Sequence, residues 1–318
     1  MANKVNKVIS KIPALQTLIF LKIIVGTIVF FAFRDNLDMW IYPDFKIYSD
    51  CTQRLSNILY TKSLCWSGIN TYTHLNSFIP SSYSIFINTL ACSLIYLVMH
   101  KYIGIKSKLI FLILLVFHPY LLIYSIRFYS DIFGILGIAL ISFYAIKERK
   151  VDYKFIVISI ILMNFRTALI PCFFIYAAFE IFDKEKLKPL LLTVGAIASL
   201  ILYQPFASIF ISIEYDYANP LFNLFALFSL RESFALNPLI IENSDYLFIT
   251  IFFIVHVIGL VGFIKFVVNE NKIKLLSVLM LFIPSLISIS HMRYLYPFLP
   301  LVLFGLLYLF NNRIRNAN

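Results

Sequence analysis

The composition of this 318-residue chain excludes a soluble globular protein, because 61% of its residues are hydrophobic, only 14% are charged and its mean hydropathy is +0.87. Average soluble domains carry about a quarter charged residues. The net charge of +11 does not indicate a nucleic-acid partner, since the basic residues lie in short connections between apolar runs and not on one face.

Ten apolar segments predict an all-α fold, a polytopic transmembrane helical bundle that forms a single integral-membrane domain over residues 1–318. In chain order they are 14–33, 83–99, 109–125, 128–146, 154–165, 167–182, 189–212, 246–268, 275–290 and 294–310. The fifth and sixth are short for a bilayer core of about 30 Å, so eight full spans plus a short re-entrant pair is the alternative. No small-residue cleavage site follows Phe33, so we expect the first segment to be retained as a helix.

The distribution of basic residues predicts that both termini lie in the cytoplasm. Six short pieces hold 17 of the 27 Lys and Arg residues: 1–13, 100–108, 147–154, 183–188, 269–274 and 311–318. Cytoplasmic connections carry such an excess in membrane proteins. Two long outer loops, 34–82 and 214–245, then face the opposite side. We expect a multi-pass protein of a bacterial cytoplasmic (inner) membrane, in contact with membrane lipid.

The first outer loop carries the leading catalytic candidates, Asp44 and, second, Asp50. Asp44 lies between Pro43 and Phe45 in a segment rich in Trp and Tyr. A carboxylate buried beside apolar rings has a raised pKa, which suits a general base that accepts a sugar hydroxyl proton. The alternative is an exposed loop acid with no catalytic role.

The cysteines divide by environment. Cys51 and Cys65 share the first outer loop, where an oxidising compartment would allow a disulfide. Cys92 and Cys172 lie in apolar runs, and we expect them to be inert packing residues.

Arginine predominates among the basic residues assigned to the outer side, and guanidinium groups bind phosphate bidentately. Arg127, Arg166 and Arg293 each lie where an apolar run turns at the outer face. A charge near membrane depth usually faces the bundle interior with a partner, so together they predict a site for an anionic lipid headgroup. The alternatives are snorkelling to lipid phosphates and structural pairing with Asp131.

Other polar residues are weaker candidates. Asp131 lies four residues after Arg127, so it either pairs with that arginine or forms a second acid in the cavity of Asp44. His291 is either a phosphate donor or a surface group, and Tyr296 lies near it at the last span. Glu214 and Asp216 would hold a divalent metal, Mg²⁺ or Mn²⁺, bridging a pyrophosphate. No other cofactor is predicted.

Four short motifs resemble integral-membrane glycosyltransferases of the GT-C class. They are P-D-F-x-x-Y in the first outer loop, FHPYLLIYSIRFYSDIFGILGIALI, NFRTALI and, near the C-terminus, RYLYPFLPLVL. The resemblance implies a catalytic base in the first outer loop, where Asp44 matches best and Asp50 second. It places the basic ligands of the lipid phosphate at Arg166 and Arg293, and less closely at Arg127. Many members have a soluble C-terminal domain or an adjacent acidic pair, and neither occurs here.

This resemblance implies transfer of a sugar from a polyprenyl-phosphate or pyrophosphate carrier to a surface-glycan acceptor at the outer face of the membrane. The layout is also similar to that of bacterial O-antigen and exopolysaccharide polymerases, which join lipid-linked repeat units at the same face. A flippase or transporter of an anionic lipid-linked substrate is a further alternative. That class predicts pseudo-symmetric halves and helices broken at the bilayer midplane.

Overall fold

The computed structural model describes residues 12–33, 82–126, 131–166, 168–181, 187–212, 243–282 and 295–317, and the regular structure in these ranges is helical, with no strand. The predicted all-α fold is therefore confirmed. The α-helices are α1 Ile12–Phe33, α2 Ser82–Met99, α3 Ile105–Phe117, α4 Pro119–Ile126, α5 Asp131–Lys147, α6 Tyr153–Phe165, α7 Leu169–Ile181, α8 Leu187–Ser212, α9 Asn243–Asn269 and α10 Leu299–Ala317. Three 3₁₀ helices span His100–Tyr102, Ile273–Phe282 and Tyr296–Phe298.

In the described ranges, three apolar stretches are long enough to cross a membrane. Two lie within α1 and α9, and the third, Ser84–Tyr102, continues from α2 through the 3₁₀ helix His100–Tyr102. The described helices also include shorter apolar ones, such as α6 and α7. Large apolar side chains point outward from many helices, among them Phe20, Ile28, Phe86, Leu109, Val194 and Val261. Such an exposed apolar surface is unfavourable in water and is what a helical bundle presents to lipid.

Three predicted segments differ from a single regular α-helix, and one of them, 294–310, contains the 3₁₀ helix Tyr296–Phe298 before α10. Segment 109–125 is interrupted at His118, between α3 and α4, because Pro119 has no backbone N–H and its ring clashes with the preceding turn. Segment 275–290 begins as the 3₁₀ helix Ile273–Phe282. A 3₁₀ helix rises about 2.0 Å per residue, so these ten residues cover more depth than an α-helix of the same length.

Helices α9 and α10 pack with their backbones in close contact. A Cβ atom at Gly259 would lie 2.5 Å from the carbonyl oxygen of Val302, and one at Gly262 would overlap the carbonyl oxygen of Gly305. Small residues at a helix crossing allow the two backbones to approach this closely. In lipid, where the hydrophobic effect between helices is weak, the resulting van der Waals packing holds the helices together.

At one end of the bundle, ion pairs link segments that the sequence assigns to the same side of the membrane. Lys272 forms an ion pair with Glu148, and Lys274 forms one with Glu180 at 2.6 Å. The hydrogen bond from Lys272, together with its charge, holds the pKa of the exposed Glu148 carboxyl below its usual value. At the same end, the Asp152 side chain caps α6 by accepting from Phe155 N at 2.7 Å.

Candidate functional site

The structure describes three of the predicted site residues: Asp131, Arg166 and Tyr296. The others lie outside the described residues: Asp44, Asp50, Arg127, His291, Arg293, Glu214 and Asp216. Cys51 and Cys65, for which the sequence leaves a disulfide open, also lie outside them. Cys92 and Cys172 are free and buried, as expected for packing residues.

Asp131 and Arg166 form a buried ion pair. The Asp131 Oδ1 atom lies 2.7 Å from Arg166 Nη2, and the two side chains are 1% and 9% exposed. Asp131 stands in the first turn of α5, and Arg166 follows the last residue of α6. Each charge therefore has the sign that the adjacent helix dipole favours. In the described part of the chain, Asp131 thus pairs across two helices with Arg166.

The third described site residue, Tyr296, is followed in the chain by Pro297, which lies close to this ion pair. A Cβ atom at Gly134, one turn into α5, would lie 2.8 Å from Pro297 Cγ and 3.6 Å from Arg166 Cγ. Tyr296 is buried, and its hydroxyl accepts a hydrogen bond from the Asn88 side-chain amide on α2. Residues from three of the four motifs that carry the family resemblance consequently meet at one place.

A second polar cluster, which sequence reasoning missed, surrounds Lys22. This side chain is almost completely buried, and its Nζ atom donates to the carbonyl oxygen of Leu115 at 2.8 Å. In a regular helix that carbonyl would accept from the N–H of residue 119, but Pro119 has none. Lys22 therefore supplies the hydrogen bond that the interruption between α3 and α4 removes.

Contacts of the Lys22 cluster extend towards Tyr296. The Cys92 thiol is a hydrogen-bond partner of Lys22, and Cys92 Sγ donates to Asn88 Oδ1 at 3.7 Å. On the other side, the His118 ring centroid lies 6.2 Å from that of His256 on α9. The signal in the sequence was a lysine in the middle of an apolar run, since an ionisable residue inside a membrane is costly and is often functional.

We expect Lys22→Met to destabilise the protein by about 1–3 kcal/mol, because it leaves the buried Leu115 carbonyl without a donor. In a Pro119→Ala background the backbone N–H can take that role, so the same substitution should cost little there. Thermal unfolding of the two single variants and the double variant in detergent measures this coupling. Lys265→Met, at an exposed lysine of α9, is the control. Equal costs of Lys22→Met in both backgrounds would contradict the assignment.

No group of three or more potential metal-ligating side chains occurs among the described residues, and the predicted metal ligands Glu214 and Asp216 are outside them. No family model, curated protein or solved structure matches the chain. The functional interpretation is therefore based on the contacts among the chain's own residues.

Proposed function

We propose that the protein is a membrane glycosyltransferase that moves a sugar from a polyprenyl-phosphate or pyrophosphate carrier to a surface-glycan acceptor. The reaction takes place at the outer face of a bacterial cytoplasmic membrane, in a bundle of about ten membrane segments with both termini inside. The donor and the acceptor are its partners, together with membrane lipid.

The observation that carries this proposal is the meeting of Asp131, Arg166 and Pro297. These residues come from three separate motifs that resemble the GT-C class, and they are brought together by α5, α6 and the 3₁₀ helix Tyr296–Phe298. Arg293, three residues before Tyr296, precedes the same 3₁₀ helix in the chain. A guanidinium carries five N–H donors, so an ion pair with one carboxylate is compatible with binding a phosphate as well.

In the proposed mechanism, an acceptor hydroxyl attacks the anomeric carbon of the donor sugar while the bond from that carbon to the carrier phosphate oxygen breaks. Asp44 takes the hydroxyl proton as general base. Arg166 and Arg293, with Arg127, bind the departing phosphate and stabilise the charge that develops on it. Attack opposite the leaving group inverts the anomeric configuration. Asp131 positions the Arg166 guanidinium through the 2.7 Å ion pair.

The flippase alternative has one specific observation in its favour. The helix that contains α3 and α4 is interrupted beside Lys22, and discontinuous helices with charged groups at mid-depth are typical of transporters. The polymerase alternative makes the same chemical demands as the glycosyltransferase. One experiment separates all three.

In cells that lack the gene, we expect wild type to restore the surface glycan, and Asp44→Asn to leave full-length glycan ladders that miss one sugar decoration. General-base catalysis contributes about 10²–10⁴-fold to a rate, so the decoration should be almost absent. Gel separation by length and sugar analysis are the measurements. Arg293→Ala should give the same defect through weaker phosphate binding.

The matched control is Asp38→Asn, another acid of the same outer loop, compared at equal protein levels in the membrane. A collapse of the ladder to single repeat units in Asp44→Asn would identify the polymerase. Normal ladders with normal sugar composition would refute Asp44 as the base and favour the transporter.

A further inference from the structure

The 3₁₀ helix Tyr296–Phe298 contacts three different helices with three consecutive side chains. Its first residue accepts a hydrogen bond from Asn88 on α2, its second lies against Gly134 on α5, and its third packs edge-to-face on Phe263 of α9, with ring centroids 5.2 Å apart. A 3₁₀ helix has 3.0 residues per turn, so consecutive side chains point about 120° apart. This short segment therefore holds three helices together at one point.

Asn88 makes the polar contact of this junction with both ends of its side-chain amide. The side chain is fully buried. Its Nδ2 atom donates to the Tyr296 hydroxyl, and its Oδ1 atom accepts from Cys92 Sγ, one turn further along α2, at 3.7 Å. Rotation of the amide would break both contacts, so its orientation is fixed. Tyr296 is only 1% exposed, and the hydrogen bond consequently locks the start of the 3₁₀ helix onto α2.

Pro297 connects this junction to the buried ion pair. Pro297 Cγ and Arg166 Cγ both lie within 3.6 Å of one point, the position that a Cβ atom on Gly134 would occupy. The absence of a side chain at Gly134 allows both to approach α5 there. The Arg166 guanidinium is paired with Asp131 at 2.7 Å. Because buried side chains are closely packed, a shift of the 3₁₀ helix would displace the stem of Arg166 or leave a gap beside it.

We propose that Asn88 is a positioning residue for the phosphate site of the proposed glycosyltransferase. It orients Tyr296, and the 3₁₀ helix carries that orientation to Pro297, which holds the stem of Arg166 so that the guanidinium faces the carrier phosphate. This inference rests on the proposed function, since it concerns the site where Arg166 binds phosphate. Asn88 lies on α2, outside the four motifs that resemble the GT-C class.

The test measures the dissociation constant of geranyl phosphate for purified full-length protein in nanodiscs of zwitterionic lipid, at a temperature where every variant is folded. Wild type should bind this probe saturably. Asn88→Ala and Tyr296→Phe should each weaken binding by about three- to tenfold, as expected for the loss of one hydrogen bond. The double variant should bind no more weakly than the weaker single variant, because both substitutions remove the same bond.

The matched control is Thr89→Ala, at the next residue of α2. Thr89 is also buried, but its hydroxyl donates to the Ile85 carbonyl oxygen of the same helix at 2.7 Å. Its loss should lower the unfolding temperature and leave the dissociation constant unchanged. Equal weakening by Thr89→Ala and Asn88→Ala would overturn the proposal, because any loosening of α2 would then have the same effect. Wild-type affinity in Asn88→Ala and Tyr296→Phe would overturn it as well.

A further variant, Arg166→Lys, separates this proposal from the proposed function. It keeps the positive charge but loses the bidentate guanidinium, so it should weaken binding at least as much as Asn88→Ala does. No binding to wild type, or wild-type affinity in Arg166→Lys, would refute both the phosphate site and the role of Asn88. Weak binding in Arg166→Lys with wild-type affinity in Asn88→Ala would refute the positioning role alone. If Asn88→Ala does not fold, Tyr296→Phe decides.

Discussion

Gly262→Ala should separate helices α9 and α10, because its added methyl group would overlap the backbone carbonyl of Gly305. A backbone atom cannot move aside as a side-chain end can, so one helix must shift along the whole crossing. Overpacking of a core typically costs about 1–3 kcal/mol, and we expect a loss at or above the upper end of that range. The measurement is the fraction of purified protein that stays monodisperse after heating.

The matched control is Gly195→Ala on α8. There the added atom would lie 2.7 Å from Cδ1 and Cγ1 of Ile160, so it would meet a side chain, which can give way more easily than backbone. We expect this variant to stay within about 1 kcal/mol of wild type, as tolerated core changes do. Equal destabilisation by the two alanines would show that backbone contact does not determine the α9–α10 crossing.

The second large effect is expected at the ion pair between Asp131 and Arg166. Removing one member of a buried pair leaves an uncompensated charge and costs about 3–5 kcal/mol. Asp131→Ala and Arg166→Ala should therefore both lower the unfolding temperature strongly. The swapped variant, Asp131→Arg with Arg166→Asp, should regain part of that stability, although each charge then opposes a helix dipole.

Glycan display separates the structural role of this pair from the proposed role of Arg166 in phosphate binding. The swapped variant should fold and reach the membrane, yet it should not restore the missing sugar, because the guanidinium no longer lies on the α6 side. Recovery of both stability and glycan decoration in the swapped variant would limit the pair to a structural role.

Local signals in the sequence predict local features of this protein well. The apolar runs predict helices because a chain in lipid must satisfy its backbone hydrogen bonds internally. Segment 109–125 was predicted as one run, and the structure divides it at Pro119. The burial of Cys92 and Cys172 follows from the apolar runs that contain them. Each of these inferences depends only on neighbouring residues.

Contacts between distant residues were not predictable in the same way. The sequence suggested Arg127 as a partner of Asp131 from their spacing of four and also offered Asp131 as a structural partner of Arg166, without deciding between them. The described structure pairs Asp131 with Arg166, 35 residues away, and Arg127 lies outside the described residues. Lys22 and the Leu115 carbonyl are 93 residues apart, and nothing in the local sequence of either identifies the other. Such pairs are determined by how helices pack, which a single sequence does not specify.

The hydrogen bond from Lys22 to Leu115 has a consequence for biosynthesis. A lysine at the centre of a membrane helix opposes insertion by about 2.5–3.5 kcal/mol, and its partner is made 93 residues later. At about 5–20 residues per second, α1 waits roughly 5–20 s for that carbonyl. During this interval the apolar remainder of α1 must keep the lysine in the bilayer. Helix α1 is thus synthesised before the carbonyl group to which its buried lysine donates a hydrogen bond.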